Sequence, residues 1–465
     1  MGKLKNQNKL PGLIWFNLLI FGFIGQVAWN LENMYFNTFL YNAVYAGASA
    51  DALQGTMAPT TAISRMVALS AITAVVTTFI SGTFSDRMKN RKLFISIGYV
   101  VWGLVTALFG FITRDNIATL FGLSDAVQIL TVTVWTVIIM DMVMTFMGST
   151  SNDSAFNAWT TDVTTPSTRP AVETAFTIIG FAATGVVMGV GSFAQSGAVS
   201  YKLFFGILGL IVAVCGVIGF FTLKEPVQKQ QPTAKKASYW ADLFYGFRPG
   251  VIRQNSRLYL TLACLCLFNC AFQVFFPYLF VYLQYVVLIK PENAALLSPI
   301  SPALIAVGVG AVTVLLAGVI ILLKLSKKSK ALGLIPGVLC LIAGLIILST
   351  STSIYTILIG VAPTFIGYLV LTIQLNATTR DFIPEGKAGR FQGIRMIFFV
   401  LIPMVVGPAI GDIASRSVGA TYINEYGVET IVPDAKMFLY SAVVAALVFI
   451  PLAVLLKKGF NKKED

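Results

Sequence analysis

The sequence contains no histidine, and only 11% of its 465 residues are charged. Soluble domains carry about 25% charged residues, so this composition excludes an ordinary soluble protein. Histidine is the usual proton carrier and a frequent metal ligand, so its absence leaves proton transfer to carboxylates. The five cysteines all lie in hydrophobic runs, where they indicate neither a disulfide framework nor the spacing of a zinc site. We therefore expect no metal and no other cofactor.

The sequence also lacks a glycine-rich phosphate loop and an evident pair of nucleophile and base. We therefore expect neither an enzyme nor a protein driven by ATP. A large polar sensory domain is missing as well, which disfavours a non-transporting membrane sensor.

Hydrophobic residues are abundant: they make up 56% of the chain, and the mean hydropathy is +0.80. Apolar runs of 18 or more residues recur, and each is long enough to cross a hydrocarbon core about 30 Å thick. The first run is too long for a cleaved signal peptide. The fold class predicted is an all-α integral membrane protein with twelve transmembrane helices. The twelve runs are 12–40, 61–84, 93–113, 131–158, 171–194, 201–223, 258–286, 302–324, 331–350, 354–377, 391–413 and 436–456.

The net charge of +13 is distributed unevenly between the segments that connect these runs. If the N-terminus is cytoplasmic, most lysines and arginines fall on the cytoplasmic side, as the positive-inside rule requires. We therefore expect a multi-pass protein of the cell membrane with both termini in the cytoplasm. The basic loops would meet anionic lipid head groups, and a nucleic-acid partner is not expected. The exceptions on the other side are Arg65, Arg114, Lys202, Lys290, Arg416 and Lys436.

The chain divides into two halves of six runs each. Residues 224–257 form the longest polar interval, which predicts a cytoplasmic linker between an N-terminal bundle, 1–223, and a C-terminal bundle, 258–465. Each half contains an Asn-Ala…Asp motif after its fourth run, at 157–162 and at 376–381. Repeats in the same orientation predict two pseudo-symmetric six-helix bundles with a substrate cavity between them.

Polar residues recur at every fourth position from the fourth run into its cytoplasmic end. This spacing places them on one face of a helix. Ionisable residues within a membrane are costly and usually face a binding site or a water-filled path, so Asp153, Asp141 and Asn157 are candidate substrate or cation ligands. Alternatively, Asp153 is solvated at the cytoplasmic end of the span, or Asp141 forms an ion pair with Arg65 or another basic side chain. The stripe comprises Asp141, Thr145, Ser149, Asp153, Asn157 and Thr161.

A second polar face lies in the first run. Glu32 is its only carboxylate and is a candidate proton carrier or substrate anchor. Side-chain amides can both donate to and accept from sugar hydroxyls, and Trp29 would stack on a sugar ring. The alternative is interhelical hydrogen bonding, which is common in membrane bundles. The face comprises Gln26, Asn30, Asn33, Asn37 and Tyr41.

In the second half, the polar candidates are fewer. Asn269 and Gln273 lie one turn apart in the seventh run, and Gln374 lies in the tenth. We predict that these three amides contact the substrate from the C-terminal half.

Charged residues at the cytoplasmic ends of the runs are interpreted as a gate. Charge-assisted pairs between loops would stabilise one conformation, and their rupture would permit the other. The predicted gate residues are Asp86, Arg87, Arg91, Asp162, Arg169, Asp381 and Arg390.

The segment Gly82–Lys92, GTFSDRMKNRK, resembles the signature Gly-x-x-x-Asp-Arg-x-Gly-Arg-Arg of the major facilitator superfamily. It keeps the first glycine, the Asp86-Arg87 pair and Arg91. Lys89 stands in place of the second glycine, and Asn90 stands in place of the first arginine of the final Arg-Arg pair. The resemblance implies two six-helix bundles that move around a central site.

Within that superfamily, the fourth run resembles the glycoside–pentoside–hexuronide cation symporters, the melibiose permease-like group. Those proteins have an intramembrane Asp at about the interval that separates Asp153 from Arg169, which implies that Asp153 contacts the cation or the sugar. Another register would place Asp141 there. The sodium-coupled members carry two acids in span two, whereas Ala71–Ile80 has none, so proton coupling and no coupling remain alternatives to sodium.

Taken together, these features predict a secondary transporter of a small sugar or glycoside, with proton or sodium symport. The expected partners are the solute, the coupling ion and the lipid bilayer, and a monomer is expected. The main alternative is a uniporter or exporter of another solute, including a lipid-like one.

Overall fold

The computed structural model describes residues 10–88, 90–164, 168–195, 197–224, 247–297, 301–383, 391, 394–423 and 429–459. In this part of the chain, eleven helices are long and apolar enough to cross a membrane. A further helix, Arg169–Gln195, includes the shorter apolar stretch Ile178–Ala194. The predicted all-α membrane fold is therefore confirmed, and each of the twelve predicted runs is helical over most of its described residues.

We number the spans in chain order. Their bounds are Gly12–Tyr45, Pro59–Met88, Arg91–Phe111, Ala126–Val163, Arg169–Gln195, Tyr201–Thr222, Ser256–Val287, Pro302–Ser326, Ala331–Thr350, Ile354–Phe382, Ile394–Val418 and Lys436–Lys458. Short helices lie between spans at Ala50–Gly55, Arg114–Phe121, Pro249–Gln254 and Pro291–Leu297. A two-stranded antiparallel sheet, Thr421–Ile423 with Glu429–Ile431, pairs Thr421 with Ile431.

Several spans are not continuous α-helices. Span one is π-helical at Glu32–Phe36 and Leu40–Tyr45, and span four at Ser149–Phe156. Further π segments occupy Leu283–Val287 and Ile397–Leu401. A π segment adds a residue to the turn and often marks a functional site. In spans one and four, these segments contain Glu32 and Asp153.

The chain forms two compact units. The first comprises Met1–Met57 and Ile72–Lys235, and the second comprises Ala58–Ala71 and Lys236–Asp465. Span two therefore contributes its first turns to the second unit and its remainder to the first. The predicted linker, 224–257, lies mostly outside the described residues, so the boundaries proposed for the two bundles stay a prediction.

Glycines allow close packing of helices within each unit. In the first unit, a Cβ added to Gly103 of span three would lie 2.3 Å from the Gly209 carbonyl oxygen of span six. In the second unit, a Cβ at Gly367 of span ten would lie 2.5 Å from the Gly337 carbonyl oxygen of span nine. Small residues at such interfaces let helix backbones approach closely in membranes, where packing drives association.

Replacing Gly209 with alanine should lower the stability of the first unit. The new methyl group would lie 2.5 Å from the Gly103 carbonyl oxygen and 2.6 Å from the Ala107 nitrogen, and these backbone atoms have no freedom to rotate away. We expect a loss of about 1–3 kcal/mol, typical of overpacking, measured by thermal unfolding in detergent.

The matched control is Gly206→Ala in the same helix, where an added Cβ meets nothing within 4 Å. Alanine favours a helix over glycine by up to about 1 kcal/mol, so this variant should be neutral or slightly more stable. Equal melting temperatures for the two variants would contradict the packing argument.

Candidate functional site

The polar stripe of span four passes from a buried environment to an exposed one. Asp141 is 2% exposed, Thr145 and Ser149 are buried, Asp153 is half-buried, and Asn157 is exposed. The helix continues to Val163, ten residues beyond Asp153. Asp153 therefore does not mark the end of the helix.

Asp153 borders a cavity of about 120 Å³ in the first unit. Four polar side chains and two phenylalanines contribute to its wall. Pockets that enclose drug-sized ligands have about 300–1,000 Å³, so in this conformation the cavity is too small to enclose such a ligand. The lining residues are Gly22, Gln26, Asn152, Asp153, Phe156, Asn157, Phe176 and Ile179.

Local hydrogen bonds orient the polar groups of this cavity. Ser149 donates to the Asp153 carboxylate at 3.2 Å, and the Asn157 amide donates to the Asp153 carbonyl oxygen at 3.0 Å. The remaining carboxylate oxygen of Asp153 adds capacity for a donor in the cavity, since a carboxylate accepts at two oxygens.

Asn152 connects the cavity to spans one and three. Its amide nitrogen donates to the Tyr99 hydroxyl at 2.6 Å, and Tyr99 donates to the Phe21 carbonyl oxygen at 2.8 Å. Trp29 donates its indole N–H to the Asn152 amide oxygen at 3.3 Å. This approach requires Gly25, because a Cβ there would lie 2.3 Å from the Asn152 nitrogen.

Trp29 was predicted to stack on a sugar ring. In the structure its ring lies 5.1 Å from that of Trp102, centroid to centroid, and its N–H is used by Asn152. Trp29 therefore supports the wall of the cavity through Asn152, and it is not among the residues that line it.

A second polar cluster, which we call the carboxyl cluster, comprises Glu32, Asp141 and Thr145. The Thr145 hydroxyl donates to the Glu32 carboxylate at 2.8 Å, and Glu32 is 8% exposed. Asp141 lies one turn before Thr145 on the same helix face. A hydroxyl of span four thus bonds a buried carboxylate of span one, and a second buried carboxyl group lies one turn away on span four.

The amides of span one mostly bond to their own helix. Asn33 donates to the Trp29 carbonyl oxygen at 2.7 Å, and Asn37 donates to that of Asn33 at 3.2 Å. These bonds leave the amide oxygens as acceptors, and that of Asn37 is buried with no partner among the described residues. Asn30 is half-buried.

In the second unit, Asn269 and Gln273 are half-buried on span seven. Asn269 donates to the Leu265 carbonyl oxygen at 2.9 Å, and Gln273 lies against Gly407 of span eleven. Gln374 is 6% exposed and lies against Gly333 of span nine. Neither its amide nitrogen nor its amide oxygen has a hydrogen-bond partner in the described part of the chain.

Each unit contains an ion pair between the start of its third span and the end of its fourth. Arg91, at the start of span three, lies 2.6 Å from the Asp162 carboxylate near the end of span four. Lys330, just before span nine, lies 2.7 Å from Asp381 near the end of span ten. The internal repeat predicted from Asp162 and Asp381 therefore extends to their partners.

The other predicted gate side chains, Asp86, Arg87, Arg169 and Arg390, lie outside the described residues.

The sequence departs from the superfamily signature at Asn90, and the structure gives a reason for asparagine at this position. Its side chain accepts from the Leu93 N–H at 3.2 Å and caps span three, a position that favours asparagine. The cap sets the start of the helix directly before Arg91.

Disrupting the Arg91–Asp162 pair should slow transport. The single variants Arg91→Asp and Asp162→Arg place like charges together, and each should lower the uptake rate about fivefold, the equivalent of roughly 1 kcal/mol. The double variant restores opposite charges and should recover most of the rate. Initial uptake rates of the three variants provide the measurement, and additive losses in the double variant would contradict a pairwise role.

Sequence reasoning missed Tyr99 and Asp412. Tyr99 is an ordinary aromatic residue of span three, and nothing in the local sequence indicates its partner, 53 residues away. Asp412 had a signal, since it lies four residues before Arg416 in an apolar span, and an intramembrane ionisable residue is a candidate by default.

Known proteins share this architecture. The family model described as Major Facilitator Superfamily matches residues 33–408. The nucleoside transporter NupG has a similar structure, with a TM-score of 0.62 and 14% identity, over 96% of this chain and 100% of that one. A bacterial homologue of the human lysosomal transporter Spinster, inward-facing and unoccupied, gives a TM-score of 0.65 at 14% identity, over 98% and 100%. No curated protein matches the sequence significantly.

At these identities the solved structures show the fold alone, whereas the family model covers most of the chain. The chain is a multi-pass membrane transporter that belongs to the Major Facilitator Superfamily.

Proposed function

We propose that this transporter carries a small neutral sugar or glycoside across the cell membrane by proton symport. The observation that carries the proposal is the cavity at Asp153, which lies in the same unit as the carboxyl cluster. Gln26, Asn152 and Asn157 provide amide donors and acceptors beside the carboxylate, a set that suits a solute rich in hydroxyl groups. The resemblance of span four to the glycoside–pentoside–hexuronide cation symporters supports the same class.

Trp29 contacts the cavity wall and lies on the same helix as Glu32 of the carboxyl cluster. It contacts Asn152 in the cavity wall, and it lies three residues before Glu32, on an adjacent turn of span one. A change in the protonation of Glu32 would therefore act on the helix that holds the wall of the cavity. This proximity supports coupling between the proton and the solute.

Protons suit the carboxyl cluster better than sodium does. A sodium site needs several oxygen ligands, and the stretch of span two where the sodium-coupled relatives carry acids, Ala71–Ile80, has no carboxylate. A proton needs only one carboxyl group that alternates between two forms, and Glu32 and Asp141 are both buried. We propose Glu32 as the proton carrier and Asp153 as the substrate ligand.

The proposed orientation has both termini in the cytoplasm, in accord with the positive-inside rule. The Arg91–Asp162 and Lys330–Asp381 pairs then lie on the cytoplasmic side, where they would serve as gate contacts. Gln374, buried without a partner, is the proposed substrate contact of the second unit.

The test is uptake of radiolabelled solutes into proteoliposomes under an imposed pH gradient or sodium gradient. The panel contains monosaccharides, disaccharides and nucleosides, the last because a nucleoside is itself a glycoside and NupG is a nucleoside transporter. Accumulation driven by the pH gradient alone is the expected result. Accumulation driven by the sodium gradient alone would overturn the proposal that the coupling ion is a proton. Equilibration without accumulation would indicate a uniporter, and no uptake would indicate another solute.

A further inference from the structure

A second cavity in the first unit lies between spans one, four and six and shares no lining residue with the cavity at Asp153. Its volume is about 200 Å³, and we call it the interfacial pocket. The start of span one and the ends of spans four and six form its wall. It therefore lies at the same end of the helices as the Arg91–Asp162 pair, which is the cytoplasmic end in the proposed orientation.

The polar groups in the wall of the interfacial pocket are used by the protein itself. Asn17 donates to the Thr222 carbonyl oxygen at 3.0 Å, and the Thr222 hydroxyl donates to the Asn17 amide oxygen at 2.7 Å. The indole N–H of Trp159 donates to the Lys224 carbonyl oxygen at 3.0 Å. These bonds satisfy carbonyl groups at the end of span six, where a helix leaves such groups without an internal partner. The surface left for a ligand is therefore mainly hydrocarbon and the indole ring.

Apolar side chains complete the wall: Pro11, Leu13, Ile14 and Val163. Leu13 is 39% exposed, and Ile14 and Val163 are half-buried. Apolar cavities exclude water and bind apolar molecules. Beside the first turn of a transmembrane span, the apolar molecule present is a lipid acyl chain, and burial of each of its CH₂ groups is favourable. The interfacial pocket thus suits a segment of an acyl chain.

Lys224 supplies a positive charge at the edge of the interfacial pocket. It is exposed, and the hydrogen bond from Trp159 holds its backbone beside the wall. No carboxylate in the described part of the chain lies within ion-pair distance of it. Glu225 follows in the sequence, but three lysines within residues 3–9 precede span one, so the local sequence is basic. Such a site attracts the anionic head groups of the cytoplasmic leaflet.

We propose that the interfacial pocket binds one anionic phospholipid of the cytoplasmic leaflet, with an acyl chain against Ile14 and Val163 and the phosphate paired with Lys224. The proposal rests on the proposed orientation of the termini, but not on the identity of the solute. The bound lipid connects the end of span six, where the predicted linker begins, with spans one and four. A ligand that binds only the folded state stabilises it, so this lipid stabilises the first unit.

The test is native mass spectrometry of the whole chain after removal of lipid. The probes are phosphatidylglycerol and phosphatidylcholine with identical acyl chains, which differ in the charge of the head group. The parent protein should bind one phosphatidylglycerol about fivefold more tightly than phosphatidylcholine, the equivalent of roughly 1 kcal/mol for one lysine near an anionic lipid. Lys224→Gln should remove this preference. The matched control is Lys202→Gln, because Lys202 is an exposed lysine at the other end of span six, and it should keep the preference.

Two further variants separate binding in the interfacial pocket from a general attraction of lipid to the surface. Val163→Phe and Ile14→Phe would fill the pocket from different spans, and each should weaken binding of both lipids about tenfold, the effect of excluding about two CH₂ groups. Melting temperatures near that of the parent show that these variants are folded. Val163→Ala leaves the pocket open and should retain the preference for phosphatidylglycerol.

Three results would overturn the proposal: equal affinity of the parent protein for the two lipids, an equal effect of the two lysine substitutions, or unchanged binding in both phenylalanine variants. Binding of neither lipid, with detergent alone in the pocket, would overturn it as well. No solute is present in these measurements, so a failure of sugar uptake and a failure of lipid binding are separate results.

Discussion

Replacing Glu32 with glutamine should abolish accumulation of the solute while leaving exchange of solute across the membrane intact. Glutamine has nearly the same size and still accepts the Thr145 hydrogen bond, but it can neither bind nor release a proton. The variant therefore mimics one protonation state permanently. We expect uptake driven by a pH gradient to fall by tenfold or more, which corresponds to about 1.4 kcal/mol or more at one step.

Two assays in proteoliposomes measure this effect. One follows uptake against a concentration gradient under an imposed pH gradient, and the other follows exchange of labelled for unlabelled solute with no gradient. The control is Glu292→Gln, because Glu292 is an exposed carboxylate in a short helix between spans. If Glu32→Gln accumulates solute as the parent does, Glu32 does not carry the proton, and Asp141 becomes the candidate.

Two substitutions of Thr145 test the contribution of its hydrogen bond to Glu32. Thr145→Val removes the donor to Glu32 and leaves the shape nearly unchanged, whereas Thr145→Ser keeps the hydroxyl. The serine variant should therefore retain more coupled uptake than the valine variant. The reverse order would show that the packing of the methyl group matters more than the hydrogen bond.

The number and positions of the spans were predictable because they depend on composition and length. Apolar runs must be helical within hydrocarbon, where every backbone group needs an internal partner. Asp153 could also be identified as a candidate site residue from the sequence, because carboxylates are rare within apolar runs. The repeat at Asp162 and Asp381 was visible for a similar reason, since equivalent helix ends in the two halves carry equivalent charges.

The π segments could not be predicted, because a π turn depends on packing and hydrogen bonding that helical periodicity does not encode. Pairings between distant residues were equally inaccessible. Thr145 and Glu32 are 113 residues apart, and Thr60 and Asp412 are 352 apart. Both pairs depend on the rotation and axial position of packed helices, so single-sequence patterns indicate that each residue is unusual but not which residue it meets.

Replacing Asp153 with asparagine should weaken binding of the solute itself. Asparagine keeps the shape of the side chain and an oxygen for the Ser149 hydroxyl, but it removes the charge that strengthens hydrogen bonds from solute hydroxyls. Hydrogen bonds to charged groups contribute about 1.5–3 kcal/mol, so affinity should fall about 10- to 100-fold. Equilibrium binding to the purified protein measures this without a gradient.

Asp125→Asn is the matched control, because Asp125 is exposed and caps the start of the same span, where asparagine caps equally well. Its affinity should equal that of the parent protein. The comparison with Glu32→Gln then separates the two proposed roles, since a substrate ligand changes affinity and a proton carrier changes accumulation. If Asp153→Asn binds normally but fails to accumulate solute, Asp153 carries the proton, and the recognition of the sugar must come from the amides around the cavity.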